Sequence, residues 1–210
     1  MKGLSRYSRL LVVLSAFVAA GSVRAAGTEF DFKDPKGVNS ISFTLASLVE
    51  PFTGVASGIT GKVTFDPADP KATKGVIAVE AKSLHLEHKG MKETLHGADW
   101  LDVQKNPKIE FAIKKVTDYR SAGDNVFDLT IVGDLTCKGV TKELTVPVKA
   151  TYLPGKLGER SSKLTGDLLL LRANFAMKRK DFGIKPDVPD KVVAEEIQLR
   201  VSIAGVSPKK

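Results

Sequence analysis

Strict alternation of apolar and polar residues constrains this chain more than any other feature. Ile41, Phe43 and Leu45 alternate with Ser40, Ser42 and Thr44, a period of two that gives a strand one apolar face. The same pattern recurs in Ile109-Glu110-Phe111-Ala112-Ile113, in Phe127-Asp128-Leu129-Thr130-Ile131, in Leu144-Thr145-Val146-Pro147-Val148 and over residues 197–203. Turn signals separate the runs: Asp34-Pro35-Lys36-Gly37, Asp66-Pro67, Ala122-Gly123-Asp124-Asn125 and Pro154-Gly155. Many strands joined by short connectors, with little helix between them, predict an antiparallel all-β domain.

Two segments depart from the pattern. Between Glu87 and Val103 the alternation lapses, and Met91, Leu95 and Ala98 fall at helical spacing. Gly90 and Gly97 limit that helix to about two turns, because glycine is costly inside one. Asn106-Pro107 then returns the chain to extended backbone. The second departure is Asp167-Leu168-Leu169-Leu170-Leu171-Arg172, apolar at both parities. Both faces of that strand should meet apolar neighbours, as in a barrel whose outer wall is covered, or in a sandwich core. Periodicity alone leaves barrel and sandwich open.

The first 25 residues have the layout of a secretory signal: Lys2, Arg6 and Arg9, then an apolar run from Leu10 to Ala20, then Val23-Arg24-Ala25. The apolar run is too short for a membrane span, which needs roughly 20 residues. Cleavage near Ala25 would remove four basic residues and no acidic one, taking the formal charge from +8 to +4. A charge of that size is ordinary for a soluble surface and gives no reason to expect nucleic acid. The expected location is periplasmic or secreted, and the single cysteine, Cys137, is then unpaired and reads as a small strand-end residue.

Motifs of known chemistry are mostly missing. Gly54, Gly58 and Gly61-Lys62 have the wrong spacing for a phosphate loop, and Val63 stands where serine or threonine is needed. Asp181-Phe182-Gly183 has no accompanying kinase motifs. The three histidines, His85, His88 and His96, cluster near Glu87 and Glu93 and are the candidates for a metal or haem site. A solvated or hydrogen-bonded role is the weightier reading for them, and no metal site is assigned. No catalytic set is forced together, which favours binding over catalysis.

Several segments together resemble the YceI-like family of exported, lipocalin-like barrels linked with polyisoprenoids and other long lipids. They are Ser42-Phe43, Gly61-Lys62-Val63-Thr64-Phe65-Asp66, and Ala98-Asp99-Trp100-Leu101-Asp102-Val103 followed by Asn106-Pro107-Lys108-Ile109-Glu110-Phe111. Gly133-Asp134-Leu135-Thr136 with Gly139-Val140-Thr141-Lys142, and Arg179-Lys180-Asp181-Phe182-Gly183-Ile184, complete the set. The sequence departs from the family pattern over Leu45 to Leu48, where many members carry a histidine, and at Lys92-Glu93-Thr94-Leu95, in place of Asp-x-His-Leu.

The resemblance implies an all-β, antiparallel eight-stranded lipocalin-like barrel with one short helix, occupying residues 26–210 after a signal peptide at 1–25. It implies a non-enzymatic binding protein without cofactor, whose partner is an isoprenoid or other long-chain lipid held in the lumen. It implies neither nucleic acid nor an integral membrane segment, and a homodimer stays open. The expected lumen residues are Phe43, Leu45, Val63, Phe65, Trp100, Ile109, Phe111, Phe127, Leu129, Leu168, Leu170, Phe175, Ile197 and Leu199, about half of them in contact with a cavity. Lys178, Arg179 and Lys185 are the candidates for an anionic head group. The alternatives are the histidine-bound metal or haem, and a ligand-free barrel acting as a structural or interaction protein.

Overall fold

The computed structural model describes residues 27–49 and 51–209. The expected signal segment lies outside these described residues. Ten strands follow in chain order: β1 (Thr28–Asp31), β2 (Ser40–Leu45), β3 (Phe52–Ala56), β4 (Ile59–Phe65), β5 (Lys74–Glu80), β6 (Lys108–Gly123), β7 (Val126–Cys137), β8 (Val140–Leu153), β9 (Gly166–Lys178) and β10 (Glu196–Pro208). The eight-residue helix α1 (Lys89–His96) sits where the alternation lapses. A single helical turn, α2 (Leu157–Arg160), was not evident from the pattern.

Every strand pairing is antiparallel. Strands β1, β4, β5, β6, β7, β8, β9 and β10 pair in that order, and Asp31 opposite Val206 returns β10 to β1. Eight strands therefore close a barrel. The β2–β3 hairpin is added beside β10, which pairs with β2 over residues 198–202. The tight β7–β8 turn is made by Lys138 and Gly139, both in the left-handed region at φ 50 and 75, the geometry that two-residue hairpins require. Two seams are short: β1 meets β10 at one residue pair, and the β8–β9 ladder runs only from Val148 to Leu153. Pro147, with no N–H to give, stands where that ladder stops.

The two ends of the barrel are closed differently. At one end the inner face is packed with aromatic rings: Phe65 meets Phe127 edge-on at 5.5 Å, and Phe30 meets Tyr152 at 6.1 Å. Phe32 lies over Gly205, where a Cβ would sit 2.6 Å from its ring. At the other end the strands are covered by the segment carrying α1 and by residues 179–195. Outside, α2 packs on β9 and β10. That cover meets the doubly apolar stretch of β9, as its composition requires.

Two carboxylates tie loops to the aromatic end. Asp34 accepts from the amides of Asn39 at 2.6 Å and Val38 at 2.7 Å and pairs with Arg160 at 3.0 Å. Asp167 accepts from the Gly155 amide at 2.7 Å, the Tyr152 hydroxyl at 3.0 Å and the Lys209 ammonium at 3.0 Å. Burial works to raise both carboxyls, but these donors outweigh it and hold each below 3.8. A folded-state value below the unfolded one means stability that is present above about pH 4 and lost as the pH falls further. The urea midpoint is expected to be flat from about pH 7 to about pH 5 and to drop below about pH 4, and Asp34→Asn should remove part of the drop.

Candidate ligand-binding cavity

Toward the α1 end the inner faces leave a cavity of about 190 Å³ that no side chain fills. Its wall is apolar throughout and follows the period of two around the barrel. Strand β9 contributes Leu171, Ala173, Phe175 and Met177, β10 contributes Ile197, Leu199, Val201 and Ile203, and β6 contributes Ile109, Phe111 and Ile113. Leu84, Leu95, Trp100, Leu101 and Ile184 roof it. Two of the large rings in the wall, Phe43 and Phe111, lie against glycines. A Cβ at Gly54 would sit 2.2 Å from the Phe43 ring, and one at Gly133 would sit 2.5 Å from the Phe111 ring.

Eight of the residues expected in the lumen line this cavity: Phe43, Leu45, Trp100, Ile109, Phe111, Phe175, Ile197 and Leu199. Six do not. Val63, Phe65, Phe127 and Leu129 are buried in the same core but belong to its filled, aromatic end. Period two fixes a residue's face and says nothing of its depth along the barrel axis. Leu168 and Leu170 have the wrong parity: Leu171, Ala173 and Phe175 line the cavity, so the even positions of β9 face the outer wall. Ile77, Val79, Ile131, Leu135, Val146 and Val148 line the cavity although they were not singled out. Extending the alternation of Phe127, Leu129 and Ile131 by two and four residues would have found Leu135.

The covering segments are fixed by backbone contacts. His88 caps α1, its Nδ1 accepting from the Met91 amide at 3.3 Å, and His96 Nε2 is 2.8 Å from the Leu84 carbonyl. His85 joins β3 through two backbone bonds to Val55, at 2.7 and 3.0 Å. Among the described residues no three metal-binding side chains converge.

The expected head-group cluster is divided between a buried arginine and two lysines open to solvent. Arg179 is fully buried. Its Nε donates to the Ala194 carbonyl at 3.1 Å, and Nη1 donates to the carbonyls of Ile184, at 3.2 Å, and Lys185. Its Nη2 donates to Val188 O at 2.7 Å, Val193 O at 3.0 Å and Asp190 Oδ1 at 3.2 Å. A guanidinium has five N–H groups, and all are taken up in holding the 184–194 loop. Arg179 therefore cannot receive a head group, and its carboxylate partner is Asp190. Lys185 Nζ is 2.6 Å from Asp99 Oδ2. Lys178 follows the cavity-lining Met177, so it lies on the outer face of β9, opposite Glu196 of β10.

A model of the YceI-like domain matches residues 29–204. The chain belongs to the YceI-like family. Protein YceI of Escherichia coli is 31% identical over 202 residues, covering 95% of this chain and 96% of that protein. BcnA of Burkholderia cenocepacia superposes with a TM-score of 0.62 at 23% identity, over 79% of this chain and 95% of BcnA. A polyisoprenoid binding domain from Saccharophagus degradans superposes with a TM-score of 0.61 at 6% identity, over 87% of this chain and 99% of that one. At those identities the two structural matches speak for the fold.

In this YceI-like barrel two of the family segments meet in the roof of the cavity. Trp100 and Leu101 form part of the roof, and the Arg179–Ile184 stretch places Ile184 beside them. Gly183 caps that turn in the left-handed region at φ 63. Thr94, at the departure from the family pattern on α1, turns its hydroxyl back to the Gly90 carbonyl at 2.9 Å. Cys137 lines the cavity, and burial pushes its thiol up to about 12. It is therefore expected to resist iodoacetamide in native protein at about pH 8 and to react once urea exposes it. Intact mass before and after unfolding checks this; rapid native alkylation would contradict it.

Proposed function

We propose that the cavity holds a long apolar chain, either a polyisoprenoid, a quinone-like molecule or a fatty lipid, for transport, storage or sequestration. The observation that carries this reading is an apolar space of about 190 Å³ bounded by eight strands and a roof. Leaving that volume unpacked costs roughly 4–5 kcal/mol against a filled core, at about 24 cal/mol per Å³. A barrel with only a structural task has no reason to retain such a cost. An apolar cavity of about 150 Å³ already accepts benzene, so this one admits an aliphatic chain. Each CH₂ transferred gains about 0.8 kcal/mol. Some ten carbons then offset the ordering cost at its lower estimates, and longer chains bind with net gain.

The family supports the reading, since a solved structure of the same fold is a polyisoprenoid binding domain. Binding, not catalysis, is the activity proposed. The order of basic, apolar and small residues over 1–25 supports export, so the mature protein would begin near Ala26 in the periplasm or the medium. N-terminal sequencing that found Met1 retained would refute that part. No described helix is long and apolar enough to cross a membrane. The binding reading is tested by displacing a fluorescent fatty-acid probe with isoprenyl alcohols of increasing length. Affinity should rise with each isoprene unit until the lumen is full, whereas affinity independent of chain length would refute it.

A further inference from the structure

The wall of the lumen is paired unevenly. The β7–β8 ladder runs unbroken from Val126 to Cys137, and the β9–β10 ladder from Gly166 to Lys178. Between them, β8 and β9 pair only where Val148–Leu153 faces Leu168–Ala173. Beyond that stretch both strands continue, yet residues 140–147 of β8 and 174–178 of β9 have no ladder between them. This slot lies at the depth of the cavity, which Val146 and Val148 line from β8 and Phe175 and Met177 from β9. The even residues of β8 have the inner parity, opposite Leu135, Gly133 and Ile131. Along them burial falls away: Val146 is buried, Leu144 half-buried and Lys142 exposed. Leu135, directly opposite Lys142 on β7, stays buried. The inner face of the barrel therefore reaches solvent at the free edge of β8.

Pro147 sets the lower limit of the slot. The Tyr152 amide donates to the Asn125 carbonyl, on the β7 side, at 2.9 Å, so even residues of β8 turn their amides to β7 and odd ones to β9. Position 147 is one that would donate to β9, and proline has no N–H to donate. The upper limit is a clasp. Lys138, in the β7–β8 turn, donates from Nζ to the carbonyls of Gly183, at 2.7 Å, and Asp99, at 2.9 Å. It ties the top of β8 to the chain that leaves β9. We propose that this slot is the passage by which the apolar chain enters and leaves the lumen, with Lys138 as its latch. The inference rests on the lumen reading above and adds the route to it. Parting β8 from β9 here breaks no ladder hydrogen bond. Lifting the roof instead would break the buried bonds of Arg179 and the bond from the Ala194 amide to Ser47 Oγ at 3.0 Å.

The test follows release of the prebound fluorescent fatty-acid probe by stopped flow, with equilibrium affinity measured on the same samples. Thr145 and Ala176 would stand opposite each other if the ladder continued in register, and both are exposed on the outer face. Thr145→Cys with Ala176→Cys, bridged by a short bis-maleimide, should slow release at least about tenfold and leave Kd within about threefold, because a gate changes both rates together. Cys137 does not compete for the reagent, its thiol being buried and pushed up to about 12. Lys138→Met opens the clasp without touching the lumen and should speed release at least about fivefold, again with Kd within about threefold. Ser47→Cys with Ala194→Cys, oxidised to pin the roof, should leave release within about twofold of the parent. Unchanged release from the bridged protein, or slowing by the pinned roof instead, would overturn the passage. Unchanged release from Lys138→Met would overturn the latch. Failure of the parent to bind the probe would overturn the lumen reading itself and the inference with it.

Discussion

Ala173→Trp is expected to abolish ligand binding while leaving the barrel folded. Ala173 stands on β9 between Val148 and Val201, its neighbours on β8 and β10, and its methyl group lines the cavity. An indole there projects into space that no other side chain occupies and removes most of the room for a chain. Affinity for a long isoprenyl alcohol should fall at least a hundredfold, equivalent to about 2.7 kcal/mol. Stability distinguishes a cavity from a packed core at the same position. Enlarging a residue in a filled core costs about 1–3 kcal/mol or more, whereas here the urea unfolding free energy should stay within about 1 kcal/mol of the parent. Retained binding, or a collapse in stability, would count against an open lumen at this depth.

Arg179→Met is expected to be the most destabilising single change outside the apolar core. The guanidinium is fully buried and serves five backbone carbonyls and the Asp190 carboxylate. Its loss strands those acceptors and the loop that carries Ile184 and Val193. Removing one member of a buried, hydrogen-bonded charge arrangement costs about 3–5 kcal/mol, which would lower the unfolding midpoint by many degrees in a domain of this size. Arg179→Lys should rescue little of this, since an ammonium has three donors and cannot reach in several directions at once. Asp190→Asn should cost far less, because that carboxylate is half exposed and supplies one contact of six. A midpoint for Arg179→Lys near that of the parent would show that charge, not the guanidinium fork, holds the loop.

What the sequence made legible follows from which physical signals are local. Alternation about Phe43, Phe111 and Leu199 placed those residues on the inner wall, because the period of a strand is written in consecutive residues. The lapse around Met91 and Leu95 placed α1 for the same reason. Depth was not legible: Phe65 and Phe127 share the parity of the wall but fill the aromatic floor, and only the register between distant strands decides that. In β9 the run Leu168 to Leu171 carried no parity information at all, so Leu168 and Leu170 were assigned to the wrong face. The bulges in β6 shift its inner positions from Ile113 to Val116, and nothing in the residues between announces this. Arg179 was misread because its partners are main-chain carbonyls, which every residue possesses and no sequence displays.

The central claim is that this barrel carries one long apolar chain in its lumen. It is tested most directly by mass spectrometry of organic extracts from the protein purified without detergent, alongside Ala173→Trp prepared identically. The account predicts a single class of long-chain lipid close to one per chain in the parent and none in the variant. Equal traces of lipid from both proteins, or no lipid from either, would contradict it.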